Sequence, residues 1–494
     1  MNKTLLINKI DNVAVALTDL KQGETYENTL LIEDIPVGHK FALKDIEENE
    51  NIVKYGYPIG HATQKILKGS HVHVKNTKTN LGDELEYEYT QKFVENKYKN
   101  ENILVNVYKR KFNRYGIRNN LVIVPLVGCV NAQAELIKQE VLKQIDKNLI
   151  DDVIITKHPY GCSQMGDDMT NTIETLQAVV KHPNNGGVLV LALGCENNQL
   201  EPFKASLKDY DEERVYFLKA QDVEDEVVEG TKLCLDLYNK MKNDTREKAP
   251  LSVITIGLKC GGSDGFSGIS ANPLVGEMSD FIVANGGSTL LTEVPEMFGA
   301  EQVLMDRAKD IETFKKIVSL INNFKKYYSD HNQVCYENPS PGNKQGGITT
   351  LEDKSLGCTQ KAGLSKVVDV LTLGQQIQHK GLNLLKGPGN DMVACSNLAC
   401  AGAHVILFTT GRGTPFGTFV PTMKIATNTA LSVKKANWID FNAGKIVDGK
   451  SMEEVFEEFK DTIIKIINGE IKTKNEINDF QELAIFKDGV TLWL

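Results

Sequence analysis

Three Gly-Cys pairs, Gly128-Cys129, Gly161-Cys162 and Gly194-Cys195, recur at intervals of 33 residues, and the first and third directly follow the apolar runs LVIVPLVG and GVLVLALG. An interval of that length holds about one strand-helix-strand unit, so the runs read as strands of a parallel sheet. All three thiols would then emerge at the carboxyl edge of the strands, where open α/β sheets bind their ligands. A chain built this way is expected to be an enzyme rather than a scaffold.

The alternation continues. DVIIT (152–156), RVYFL (214–218), SVITIGL (252–258), STLLTEV (288–294) and HVILFTT (404–410) read as further strands, and helical spacing is found near 131–145, 223–241, 296–328 and 451–468. Apolar strands alternating with helices predict doubly wound parallel sheets covered on both faces. The expected division is two α/β, Rossmann-like regions, 105–247 and 248–494. Residues 1–80 differ: short apolar segments broken by turn-type glycines predict a small β domain. Between them, 81–104 is polar (LGDELEYEYTQKFVENKYKNE) and reads as a solvated linker.

Composition narrows the partners. A net charge of −9 over 494 residues disfavours nucleic acid, and an acidic substrate would need a local basic pocket. No stretch approaches the ~20 apolar residues of a membrane span, and the amino terminus lacks the apolar core of a signal peptide. Nine cysteines without tight disulfide spacing then imply reduced thiols in the cytoplasm. The expected partner is a small molecule, and a homodimer is compatible with the sequence.

Four motifs carry chemistry. GLKCGGSDGFSG (257–268) follows a strand and gathers glycines around Lys259, Cys260 and Asp264, where exposed amides can cradle an anion. The polar stretch 338–363 is long enough to be a functional loop, with Lys344, Lys354 and Lys361 as point charges for a carboxylate. In FTTGRGTPFG, Arg412 sits between glycines and suits bidentate carboxylate binding. Histidines concentrate in the first domain, at His39, His61, His71 and His73; His71 and His73, two apart on a strand, share a face and can bind metal or act as acid and base. Cys129, Cys162 and Cys195, joined by His158, form a candidate site for a soft ion.

Taken together, GHKFAL, YGYPIGHA and HVHVKN in the first domain, HPYGCSQ, HPNNGGVLVLALGCE and CGGSDGFSGISANP in the middle, and NPSPGNKQGGITTLEDKSLGC and TTGRGTP after them resemble the altronate/galactarate dehydratase family of sugar-acid lyases. The resemblance covers nearly the whole chain. It implies that the first domain is a SAF-type β-clip and that the protein is a hydro-lyase of hexuronate catabolism. Such an enzyme removes the proton next to a sugar acid's carboxylate and expels the neighbouring hydroxyl. D-altronate is the favoured substrate and galactarate the alternative; a non-catalytic sugar-acid binding protein is the competing class. The resemblance also implies iron, with manganese as substitute: Fe2+ as a mononuclear ion, or an iron-sulfur cluster on the three thiols. The expected roles are His73 as general acid or base, with Asp264 and Lys259 in the catalytic set. Lys354, Arg412 and His71 would bind substrate, Cys129, Cys162, Cys195 and His158 the metal, and Arg114 and Arg118 supply any further basic part.

Overall fold

The computed structural model describes residues 2–82 and 86–487. Residues 83–85 of the expected linker and 488–494 of the expected last region lie outside the described residues. The architecture is α/β, with a small β domain followed by two parallel sheets.

In the first domain, strands Thr4–Leu5, Val13–Ala16, Lys40–Ala42 and His71–Val72 form an antiparallel sheet in that order, and Asn51–Lys54, Tyr57–Ala62 and Thr77–Lys78 form a second. One part of its core, Ala14, Ala16, Leu20, Leu31, Ile35 and Phe41, closes on itself, and the other does not. Ile46, Ile52, Ile59 and Ile66 pack with Ala300 and Leu356 of the last region.

The four-stranded parallel sheet has the order Val153–Ile155, Asn120–Pro125, Asn185–Ala192, Val215–Lys219. Period two decides its burial. Leu121, Ile123, Leu189 and Leu191 face helices Asn131–Leu142 and Glu226–Met241, whereas Val122, Val124, Val188 and Val190 face a core shared with Leu290, Leu398, Ile406 and Phe408. The second sheet has seven parallel strands in the order Val367–Leu371, Gly381–Leu385, Ser288–Leu291, Thr255–Cys260, Val405–Thr410, Thr422–Ala426, Phe441–Asn442. Helices Gly166–Val180 and Asp391–Cys400 contribute to the apolar layer between the two sheets.

The described part of 81–104 is mostly exposed, as a solvated linker would be, yet it is tied to the last region: the Tyr87 hydroxyl donates to Glu301 (2.6 Å), that of Tyr98 to Glu277 (2.7 Å), and Lys92 pairs with Asp306 (2.8 Å). Its tyrosines bury their rings and keep their hydroxyls on carboxylates, which a reading of polarity alone misses. The stretch 338–363, expected as a long polar loop, is largely helical. It forms helices Pro341–Gln345 and Leu351–Cys358, and every residue of the second helix is buried.

Candidate active site

Three imidazoles converge where the β domain meets the last region. Strand Lys40–Ala42 pairs antiparallel with His71–Val72, Lys40 opposite Val72, so the register continued by one residue sets His39 opposite His73, with His71 two residues before it. His39 Nδ1 and His71 Nε2 are 3.0 Å apart, and one ring nitrogen from each of the three lies within 4.8 Å of the others. His39 is buried and its two neighbours are half-buried. Burial lowers all three pKa values, to about 4 for His71 and about 3 for His73, with the adjoining imidazoles and Lys40 adding repulsion. The rings are therefore neutral near pH 7, with lone pairs to offer. His39 donates its Nε2–H to the Gln345 carbonyl (3.2 Å), which leaves Nδ1 as an acceptor, the tautomer a ligating histidine usually takes. Three neutral imidazoles with one side open to solvent fit a borderline divalent ion such as Fe2+ that keeps a free coordination position.

The rim and floor come from the last region. Arg412, exposed, donates to the Gln345 side chain (2.9 Å), which places its guanidinium beside the imidazoles. Thr349 Oγ1 lies 3.3 Å from His73 Nδ1 and accepts from Lys40. Lys40 also donates to the Gly347 carbonyl (3.1 Å) and to Asp353 (2.9 Å), and Lys54 takes the other Asp353 oxygen (2.9 Å). All three side chains are essentially inaccessible. Burial and then the Asp353 charge act on both lysines. Lys40, which also faces Lys54, is pushed down to about 8, while Lys54, with Tyr55 beside it, stays above its ordinary value.

The glycine-rich motif serves this docking by its lack of side chains. A Cβ on Gly265 would overlap the Gly38 carbonyl oxygen, and one on Gly347 (φ +99°) would meet the same atom, so three backbones touch only because these positions are bare.

Behind this floor lies a second cluster. Cys260, at the carboxyl end of its strand, approaches Cys358 (3.2 Å between sulfurs), and Glu296 stands 3.4 and 3.1 Å from the two sulfurs. Lys259, Lys354 and Lys361 surround it, all buried.

Comparison with known proteins decides the family. Residues 2–80 match the family described as altronate/galactarate dehydratase SAF domain, 107–242 the D-galactarate dehydratase/altronate hydrolase second domain, and 251–491 the D-galactarate/altronate dehydratase C-terminal domain. A Bacillus subtilis protein named altronate dehydratase is 55% identical over 498 residues, covering all of both chains. An Escherichia coli altronate dehydratase is 54% identical over 98% of this chain and 99% of its own. The chain belongs to the altronate/galactarate dehydratase family. An E. coli galactarate dehydratase (L-threo-forming) is 32% identical over 97% of this chain and 96% of its own.

For this family member, the structure brings His71 and His73 together with His39, links Arg412 to them through Gln345, and sets Asp264 against Gly411, the residue before Arg412. Asp264 is held there by Thr427 (3.0 Å), Asn428 (3.1 Å), Ser267 (3.2 Å) and the Phe266 amide (3.1 Å), and burial raises its pKa. Four donors on one buried carboxylate make it a strut of the 261–268 loop. Lys259 and Lys354 are not free to hold substrate: Lys259 pairs with Glu293 and Asp391 (2.9 Å from the latter), and Lys354 with Glu296 (2.8 Å) and Asn338 (2.9 Å). Arg118 is buried in a two-pronged pair with Glu476 (2.6 and 3.0 Å), and Arg114 spends its guanidinium on the carbonyl of Asp209 (3.1 Å), so both hold the fold together.

Cys129, Cys162 and Cys195 do follow three adjacent strands. Their loops are stitched together by Gly128 N to Tyr160 O (2.8 Å) and Asn198 N to Gly161 O (3.0 Å), and all three thiols are exposed. They form no group with all ligand atoms within 4.8 Å, whereas one tetrahedral ion needs thiolates about 3.8 Å apart. His158 is no ligand here: Nε2 donates to the Pro125 carbonyl (2.8 Å) and Nδ1 accepts from the Tyr160 amide (3.1 Å), so neither nitrogen is spare.

Sequence reasoning gave no role to Lys40, Lys54, Asp353, Glu293 or Glu296, and treated His39 as unremarkable. Cys260 and Cys358 lie in the KCGG and LGC pieces of the quoted motifs; their pairing across 98 residues has no local signature.

Proposed function

We propose that this chain is an altronate dehydratase, a hydro-lyase that converts D-altronate to 2-dehydro-3-deoxy-D-gluconate and water. The observation that carries the reading is end-to-end identity of 54–55% with proteins of that name, against 32% with the galactarate enzyme. In the reaction the C2 proton leaves, the C3 hydroxyl departs as water, and the resulting enol becomes the 2-keto acid. The obstacle is the charge that builds on the C1 carboxylate as the proton goes.

His39, His71 and His73 would hold Fe2+, or Mn2+ in its place, and a bound divalent ion would supply Lewis-acid stabilisation of that charge. Arg412 grips the carboxylate from the rim, where its fork gives two parallel hydrogen bonds. His73, first read as acid or base, takes the part of a ligand in this reading, because its ring is one of three whose nitrogens lie within 4.8 Å of one another. Lys40, buried and donating to Gly347, Thr349 and Asp353, holds the Thr349 hydroxyl beside His73. We place the enzyme in the cytoplasm; none of the nine cysteines is in a disulfide, and among the described residues no helix is long and apolar enough to cross a membrane.

The test is formation of 2-keto-3-deoxy acid from D-altronate and from galactarate by chelator-treated protein, with and without added Fe2+ or Mn2+. Turnover of D-altronate that depends on the ion and falls at least about 100-fold in H71A, with the circular dichroism spectrum unchanged, is expected. Faster turnover of galactarate, or ion-independent activity, would overturn the assignment.

A further inference from the structure

We propose that Cys260, Cys358 and Glu296 form a second, buried metal site, distinct from the imidazole pocket and suited to Zn2+ or Fe2+. The three residues come from separate elements: the end of strand Thr255–Cys260, the end of helix Leu351–Cys358 and the turn Val294–Met297. Their ligand atoms lie within 4.8 Å of one another, and all three residues are buried.

The distances are those of an ion's coordination shell. Tetrahedral Zn2+ at about 2.3 Å from sulfur and 2.0 Å from oxygen needs sulfurs about 3.8 Å apart and a sulfur-to-oxygen spacing of about 3.5 Å. The structure has 3.2 Å between sulfurs and 3.1 and 3.4 Å from sulfur to Glu296 Oε2. Small outward movements therefore admit the ion. Two thiolates and a carboxylate are the donor set that selects zinc and iron over magnesium or calcium.

Charge balance points the same way. Lys259, Lys354 and Lys361 face Glu293, Glu296 and Asp391 in ion pairs. Three cations and three anions cancel while both thiols carry protons. Exchanging the two thiol protons for one divalent cation leaves the net charge of this buried cluster unchanged, so metal binding brings no new charge into the interior.

The lysines also act as outer partners. Lys354 takes Glu296 Oε1 (2.8 Å) and leaves Oε2 facing the sulfurs, and Lys361 donates to Cys260 Sγ (2.7 Å), a bond that strengthens on a thiolate. The ion would fasten the helix that carries Asp353 to the main sheet.

The test uses the full chain carrying H71A, so that the imidazole pocket is disabled, and reads spectra rather than turnover. Metal-free, reduced protein is titrated with Co2+. One equivalent should produce a thiolate-to-cobalt charge-transfer band in the near ultraviolet that persists when C129S, C162S and C195S are added and disappears with C260S/C358S. X-ray absorption of the same protein with one equivalent of Zn2+, which needs no cysteine variant, should show two sulfur neighbours near 2.3 Å. A missing band, a band that survives C260S/C358S, or a zinc shell without sulfur would overturn the proposal.

Discussion

Replacing Asp353 by Asn removes the charge that Lys40 and Lys54 share at the junction between the β domain and the last region. Both lysine side chains are at most 3% exposed and Asp353 is fully buried, so D353N leaves two ammonium groups without a counter-ion. Breaking a buried pair in this way costs about 3–5 kcal/mol; the amide keeps some hydrogen bonding, which favours the lower figure. At about 1.4 kcal/mol per tenfold, 3 kcal/mol raises the population of opened junction on the order of 100-fold. Native-state proteolysis, where opening is fast relative to cleavage, reads that population directly.

The pH dependence supplies a second reading. Burial alone would raise the Asp353 pKa, but Lys40 and Lys54 hold it well below the usual carboxylate range. A carboxylate depressed in the folded state contributes stability that is fully present above its unfolded value of about 3.9 and is lost as pH falls through and below it. Wild-type protein should therefore become more protease-sensitive as pH drops below about 4, and D353N should lack this part of the acid response. The triple variant K40M/K54M/D353L should regain most of the resistance, because an apolar replacement strands no charge. A change of less than about threefold in D353N, with the acid limb intact, would refute the argument, since 3 kcal/mol cannot be that small in a population.

Other outcomes follow from the same geometry. R412A should lower kcat/KM for D-altronate at least about 30-fold, with kcat falling as well as KM rising, as expected for loss of about 2 kcal/mol or more from a contact to the carboxylate whose charge grows in the transition state; steady-state kinetics decide it. Anaerobic wild-type protein should show no broad visible absorption, and C129S/C162S/C195S should keep activity within about threefold, because an imidazole-held ion needs none of these thiols; a large loss would move the catalytic metal to that edge. G265A should lower thermal stability and solubility, its Cβ overlapping the Gly38 carbonyl at a cost of about 1–3 kcal/mol or more, as measured by the melting temperature.

Local pattern and composition were enough to set the fold class. The apolar runs that become strands 120–125, 185–192, 255–260 and 405–410 can only be covered on both faces, and their spacing permits only helical crossovers. The pairing of His71 with His73 was equally visible, because two residues along a strand share a face whatever the rest of the chain does.

Tertiary structure alone brought His39 to them, through strand pairing across 32 residues, and brought Gln345 and Thr349 from about 300 residues away. It also decided what the lysines do. Lys259, Lys354 and Lys361 look in sequence like free charges for a substrate, but burial obliges each to find a carboxylate, and those carboxylates lie on other elements. The period of a strand or helix is written in neighbouring residues; a buried charge is satisfied by whatever the folded chain places next to it, and that is a property of the whole sequence at once.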